Sequence, residues 1–344
     1  MIDLQTRAAL CDPALLATRE RHMAQLQALF AGQPPGRALF LKGVRGKGAS
    51  DPYVEPERWV EEALDDLATR AEALRDADVF RPLALEFGPY GVHFIDKILG
   101  AEVLNLGDGD EPNWQVHTLD APVGSLRPPD LDRDPTWALC KRVMAAFLAA
   151  DVTLPFFGLP TIASALNVAV NLYGEGILVA MLADADAARH DLGVINGLLC
   201  ALHRWYRAHV PPAQLQPVVA DQRTQPPGFG QLCGCTTQLI SARTYREYVA
   251  PLDDALLAVY AHGGMIHLCG RHTQHIAAWN DMRSLRAVQL NDRAAQDLAI
   301  YARDLRPDVV LYVNPCAEMP VERILEVTAG RRMVVVDDAV PSQP

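Results

Sequence analysis

Runs of basic residues are missing from this chain. No five consecutive Lys or Arg occur, and 42 acidic residues outnumber 31 basic ones, for a formal net charge of -11. Phosphate backbones are held by basic footprints, so no nucleic-acid partner is expected. No 18-residue apolar run exists, so no membrane span is expected either. The longest oily region, 161–185, is broken by Asn167, Asn171, Gly174, Glu175 and Gly176, and reads as two buried helical pieces. The N-terminal segment carries Asp3, Asp12 and Glu20 and lacks the basic start and apolar centre of an export signal. The seven cysteines are odd in number and spread through a large chain. A disulfide framework is therefore not expected, and a reducing cytoplasm is the expected home.

What is present is an ordinary globular composition, half hydrophobic and 21% charged over 344 residues, enough for a large core. Helical periodicity covers about 13–31 and 56–77. Between them lies a Gly-, Pro- and Lys/Arg-rich stretch, expected to be a surface loop or lid. Its "GVRGKGAS" lacks the spacing of a phosphate loop. From residue 83 onward, short apolar runs alternate with helical stretches. Strands are expected near 83, 103, 153, 216, 265, 287, 310 and 333. Long helices are expected over 184–209 and after Ser241, a credible N-cap, with Gly263 as the stop. Eight strands with intervening helices imply a parallel sheet wrapped by helices. The leading architecture is a (β/α)8 TIM barrel at 79–340 behind an N-terminal helical extension at 1–78. An open doubly wound sheet ranks second, because no convincing Gly-rich first turn is present.

The chemistry concentrates in "MIHLCG". His267 and Cys269 are two residues apart at the end of a strand, so both side chains point the same way. An imidazole and a thiol converging there begin a soft metal site. Cys233 and Cys235 in the preceding loop, or Cys316 two strands further on, supply the remaining ligands. Cys11, Cys140 and Cys200 fall in helices and read as packing groups. Zinc held by one imidazole and two or three thiolates would bind a substrate thiol and lower its pKa. In a barrel, the C-terminal strand ends build the site. That position nominates Glu86 and Asp337 as catalytic or orienting carboxylates, and Tyr90, Asn291 and Asn314 as cofactor contacts. Asp221, Gln222 and Asp292 also fall at strand ends. Glu86 reads equally as the partner of an arginine across the barrel, and Asp337 as a cap on the last strand. His272 and His275 are expected on the following helix, facing solvent.

The stretch "LISARTYREYVAPLDDALLAVYAHGGMIHLCG" resembles the uroporphyrinogen decarboxylase superfamily. Ser241, Tyr245, Tyr248, Pro251, His267, Cys269 and Gly270 match its helix and its strand ending in H-x-C-G. A weaker likeness extends to "EFGPYGVHFIDKILGAEV" and to the helix start near Pro160. The resemblance implies a (β/α)8 barrel and one of two chemistries. Decarboxylases of the family use an early "RQAGRY" motif, an "F-S-D-I-L" strand and a late "GHILNLGHG", none of which occurs here. The other group comprises zinc-dependent methyltransferases that move a methyl group between a corrinoid and a thiol, using H-x-C and a later cysteine. Cys316 stands one strand earlier than that cysteine would. The expectation is therefore a zinc-dependent methyltransferase, with a corrinoid, carried by a protein, and a small thiol or methylated compound as partners. Alternatives are cofactor-free decarboxylation of a polycarboxylate and non-catalytic corrinoid or tetrapyrrole binding. Exposed helices would allow a homodimer.

Overall fold

The computed structural model describes residues 2–33, 38–107, 112–160, 163–216 and 220–340. The strands are β1 (Leu39–Leu41), β2 (Val44–Arg45), β3 (Val79–Phe80), β4 (Leu83–Glu86), β5 (Glu102–Asn105), β6 (Trp114–His117) and β7 (Phe156–Gly158). They continue with β8 (Leu215–Gln216), β9 (Gly230–Cys233), β10 (Gly264–Leu268), β11 (Leu285–Leu290), β12 (Val310–Val313) and β13 (Met333–Val335). Seven pair in the order β3-β1-β13-β12-β11-β10-β9, and four in the order β2-β4-β7-β8. Every pairing in these two sheets is parallel. This is an α/β fold with a mostly parallel sheet system.

The two sheets share their first strands. β1 and β2 lie on one run of chain, β3 and β4 on the next, and the runs pair from Phe40↔Val79 through Arg45↔Ala84. Lys42 N bonding to Phe80 O and Val44 N to Pro82 O fill the interval. On the other side, a parallel bridge joins Ala163 to Cys233.

Three expectations need correction. The strand near 103 exists, but it pairs antiparallel with β6 in a separate ribbon. Its alternation "EVLN" suits a half-exposed ribbon, not a strand buried on both faces. The stretch read as a loop or lid instead supplies β1 and β2, so the sheets begin well before residue 79. Its Gly and Pro density hid the apolar triplet Leu39–Leu41. Likewise "GQLC", read as loop, is β9.

Elsewhere the patterns hold. β10 and β12 are buried throughout, as strands covered on both faces require. The oily region gives two helices, Ala165–Tyr173 and Gly176–Ala183, meeting at 109°; the first is mostly buried, but the second, also expected to be buried, leaves Val179 and Leu182 exposed. Among the described residues no single helix is long and apolar enough to cross a membrane. Ser241 caps its helix by accepting from Thr244 N at 3.1 Å, and Gly263 (φ 75°) ends the following run in left-handed backbone. Within that helix Tyr245–Val249 form a π turn, which the sequence pattern did not signal.

Candidate metal centre

β9 and β10 are in register so that Cys233 lies opposite His267. Two glycines make this close pairing possible. A Cβ on Gly264 would come 2.2 Å from the Gly230 carbonyl oxygen, and one on Gly230 would come 2.3 Å from the Tyr260 ring. Past the strand end, Gly234 N bonds to His267 O at 2.9 Å, tying the loop that carries Cys235 to β10.

Four donors meet at this end. Cys233 Sγ is 3.3 Å from Cys235 Sγ, which is 3.2 Å from Cys269 Sγ. Cys269 Sγ in turn lies 2.8 Å from His267 Nε2. The donor atoms of Cys233, Cys235 and His267 all fall within 4.8 Å of one another. The Cys235 thiol, in contact with both other sulfurs, is pushed up. Its hydrogen bonds pull its neighbours down: Cys233 to about 6 and Cys269 to about 5, the His267 imidazole adding to both. The donor set, one imidazole and soft sulfur, fits zinc. Sulfurs sharing a tetrahedral zinc at about 2.3 Å lie about 3.8 Å apart. The observed separations are shorter by about half an ångström, within reach of small side-chain rotations about Cα–Cβ.

A buried chain of amides orients the imidazole. Gln289, fully buried on the neighbouring β11, donates from Nε2 to Asn314 Oδ1 at 2.7 Å. Its Oε1 therefore faces His267 Nδ1, 2.8 Å away. That bond needs the proton on Nδ1 and leaves the Nε2 lone pair toward the sulfurs. On the opposite flank, Asn167 Nδ2 lies 3.5 Å from Cys233 Sγ, and its Oδ1 accepts from Thr236 N at 3.2 Å and from the Thr236 hydroxyl.

His272 and His275 are fully buried, not solvent-facing as expected. Both clamp Thr237: His272 Nδ1 is 3.0 Å from its hydroxyl, and His275 Nε2 is 2.8 Å from its carbonyl. Gly270 N donates to His272 Nε2 at 3.2 Å. The loop carrying Cys235 is thereby held against the chain just beyond Cys269. Burial pushes both imidazoles down, His272 to about 3, so they stay neutral.

The other candidates are spread around the strand ends. Cys316 is not in the cluster; its backbone closes a turn with Met319. Asn314 touches the site through Gln289. Asn291 bonds through its backbone to Leu268 O and lies beside Asp292. Glu86 is paired with Arg45 of the adjacent strand at 3.1 Å. Asp337 accepts from Asp338 N and Ala339 N, shaping a turn after β13. Tyr90 sits in left-handed backbone, φ 57°, with its N–H donating to the Tyr53 hydroxyl at 2.7 Å. Its ring packs among Tyr53 and Trp114 at centroid separations of 5.2–5.3 Å. The Asp221 side chain lies outside the described residues.

Arg223 was not singled out by sequence. It is buried, its Nε–H has no partner, and it interacts electrostatically with Cys233, Cys235, Cys269 and Glu86. Burial lowers its pKa, and these groups oppose that shift. Gln289 and Asn167 were also missed. The signal for Gln289 was a lone amide inside the apolar strand "LRAVQL".

Known structures place the fold. It is similar to that of a methyltransferase from Methanosarcina mazei. The two align with a TM-score of 0.61 and 13% sequence identity over 92% of each chain. No protein-family model and no curated protein sequence matches this chain. At this identity the likeness concerns the fold alone.

Proposed function

We propose that this protein is a zinc-dependent methyltransferase acting between a corrinoid and a small thiol. The observation that carries the reading is the convergence of Cys233, Cys235 and His267 at the ends of β9 and β10, with Cys269 in contact with Cys235 and His267. The likeness of the fold to a methyltransferase is compatible with it. We further read the two parallel sheets as one closed (β/α)8 wall. The two runs of chain shared between the sheets and the Ala163–Cys233 bridge support this. The cluster then opens on the C-terminal face, where such barrels place their chemistry.

His267 and two or three of the cysteines would hold the metal. Zinc bound there supplies a lowered pKa for a substrate thiol, so that its sulfur is presented as a nucleophile. The chain's own residues do the rest. Gln289 fixes the His267 tautomer, and Thr237, His272 and His275 fix the loop bearing Cys235. Arg223 brings a buried positive charge beside three sulfurs and offsets their accumulated negative charge.

Elemental analysis of the untagged protein tests the assignment. About one zinc per chain is expected, lost in Cys269→Ala and retained in Cys316→Ser. Full zinc in the His267→Ala, Cys269→Ala double variant would sink it, as would loss of zinc in Cys316→Ser alone.

A further inference from the structure

The helix Ala165–Tyr173 carries two asparagines one turn apart. Asn167 reaches Cys233 Sγ at 3.5 Å. Asn171, four residues on, donates from Nδ2 to Asp96 Oδ2 at 2.8 Å. Four residues advance a helix by about 6 Å, so the two asparagines sit about one turn apart on the same helix face, one against the sulfur cluster and the other against a second group.

What it touches is an imidazole–carboxylate pair. His93 Nδ1 is 2.8 Å from Asp96 Oδ2, and Asn171 Nδ2 is 3.4 Å from the same ring nitrogen. Asp96 is fully buried, and its other oxygen has no partner. His93 keeps 13% of its side chain exposed. Both follow the C-terminal end of β4, as Cys235 and Cys269 follow the C-terminal ends of β9 and β10. A carboxylate buried at such cost, gripping one nitrogen of a partly open imidazole, is the arrangement by which a general base is oriented. Bonded to Asp96, Nδ1 carries the ring proton, which leaves the Nε2 lone pair free to accept one.

We propose that His93, oriented by Asp96 and Asn171, accepts the proton of the substrate thiol. This rests on the thiol-activation reading above. In the step, the S–H bond breaks, its electron pair stays on sulfur and the proton passes to His93 Nε2. The imidazolium is then stabilised against Asp96, and it returns the proton to water after the product leaves. Asn171 is a positioning residue that holds the carboxylate in line.

Two measurements separate this proposal from the reading beneath it, using 2-mercaptoethanol as the probe thiol. The visible spectrum of the cobalt(II)-substituted full chain reports thiol addition at the metal and does not depend on His93. Nitrogen-15 NMR of the histidines in the zinc-loaded protein, assigned with His93→Gln, reports the protonation of His93. The expected result is a neutral, Nδ1-protonated His93 that becomes imidazolium as the thiol binds at neutral pH. His93→Gln should retain zinc and thiol binding, while methyl transfer from free methylcobalamin falls about 100-fold or more. Asp96→Asn should slow transfer with zinc retained. A cobalt spectrum that responds to thiol while His93 stays neutral overturns the proposal alone, and so does an unchanged rate in His93→Gln. A cobalt spectrum that ignores the thiol overturns the underlying reading and the proposal with it.

Discussion

Replacing Gln289 by Leu should weaken metal binding from a position that touches no metal. The amide is fully buried and does two jobs at once: Nε2 donates to Asn314 Oδ1 at 2.7 Å, and Oε1 meets His267 Nδ1 at 2.8 Å. Leu keeps the bulk and removes both. The His267 Nδ1–H then faces a buried site with no acceptor, a cost of about 1–3 kcal/mol. The ring can relieve it by shifting its proton to Nε2, which withdraws the lone pair from the cluster. Loss of such an outer partner typically lowers metal affinity about 10–100-fold, or about 1.4–2.8 kcal/mol. Gln289→Glu behaves differently. Its carboxylate still accepts from Nδ1–H, and Asn314 can rotate its amide to donate. Affinity should therefore be retained or raised. Competition against a fluorescent zinc chelator measures both, and thermal unfolding of the metal-free proteins separates general destabilisation from the metal effect. Unchanged affinity in Gln289→Leu, or an equal loss in Gln289→Glu, refutes the orientation argument.

Stability should also fall with rising pH through one buried carboxyl. Asp253 accepts from the Tyr245 hydroxyl at 2.9 Å, and burial pushes its pKa up to about 7. The folded state keeps a proton that the unfolded chain, with a pKa of about 3.9, gives up. The stabilisation is complete below about pH 4 and is lost as pH rises toward and through about 7, a change on the order of a few kcal/mol. Asp253→Asn should remove this slope and melt higher than the wild type at pH 8, with the gap closing toward pH 4; coincident melting curves at pH 8 would contradict it. Gly264→Ala drives a Cβ to 2.2 Å from the Gly230 carbonyl and should destabilise by about 3 kcal/mol, as overpacking does. Because that pairing also places Cys233 opposite His267, zinc content should drop in parallel. A variant with wild-type melting and full zinc would show that β9 and β10 can part freely.

The legible parts of the fold were those with one dominant local pattern. "MIHLC", "LRAVQL", "DVVLYV" and "RMVVV" read as strands because burial on both faces writes a short, mostly apolar run rich in β-branched and aliphatic residues, interrupted only by His267 in the first and by Arg286 and Gln289 in the second. β1, β2 and β9 hid among glycines and prolines, since four residues or fewer carry little periodicity against such neighbours. β5 had strand character, but what it pairs with is not a local property. At the site, His267 and Cys269 were readable because their spacing alone fixes their faces. Which other cysteine joins them depends on register between strands. The structure brings Cys233 and Cys235 there through the Gly230–Gly264 pairing and leaves Cys316 outside the cluster. His272 and His275 misled because a polar residue after a strand usually meets water. Here the Cys235 loop folds over them and takes their hydrogen bonds.

β1 lies between β3 and β13, paired with Val334 and Val335 through Leu39 and Phe40. During synthesis, one edge of the strand at residue 39 waits for a neighbour made nearly 300 residues later. Until then the nascent chain presents unsatisfied backbone along both β1 and β12, the kind of edge that recruits foreign strands. Contacts so distant in sequence form slowly, because the loop between them must close first. A ribosome stalled before residue 333 should therefore hold a chain that associates with other copies or with a chaperone.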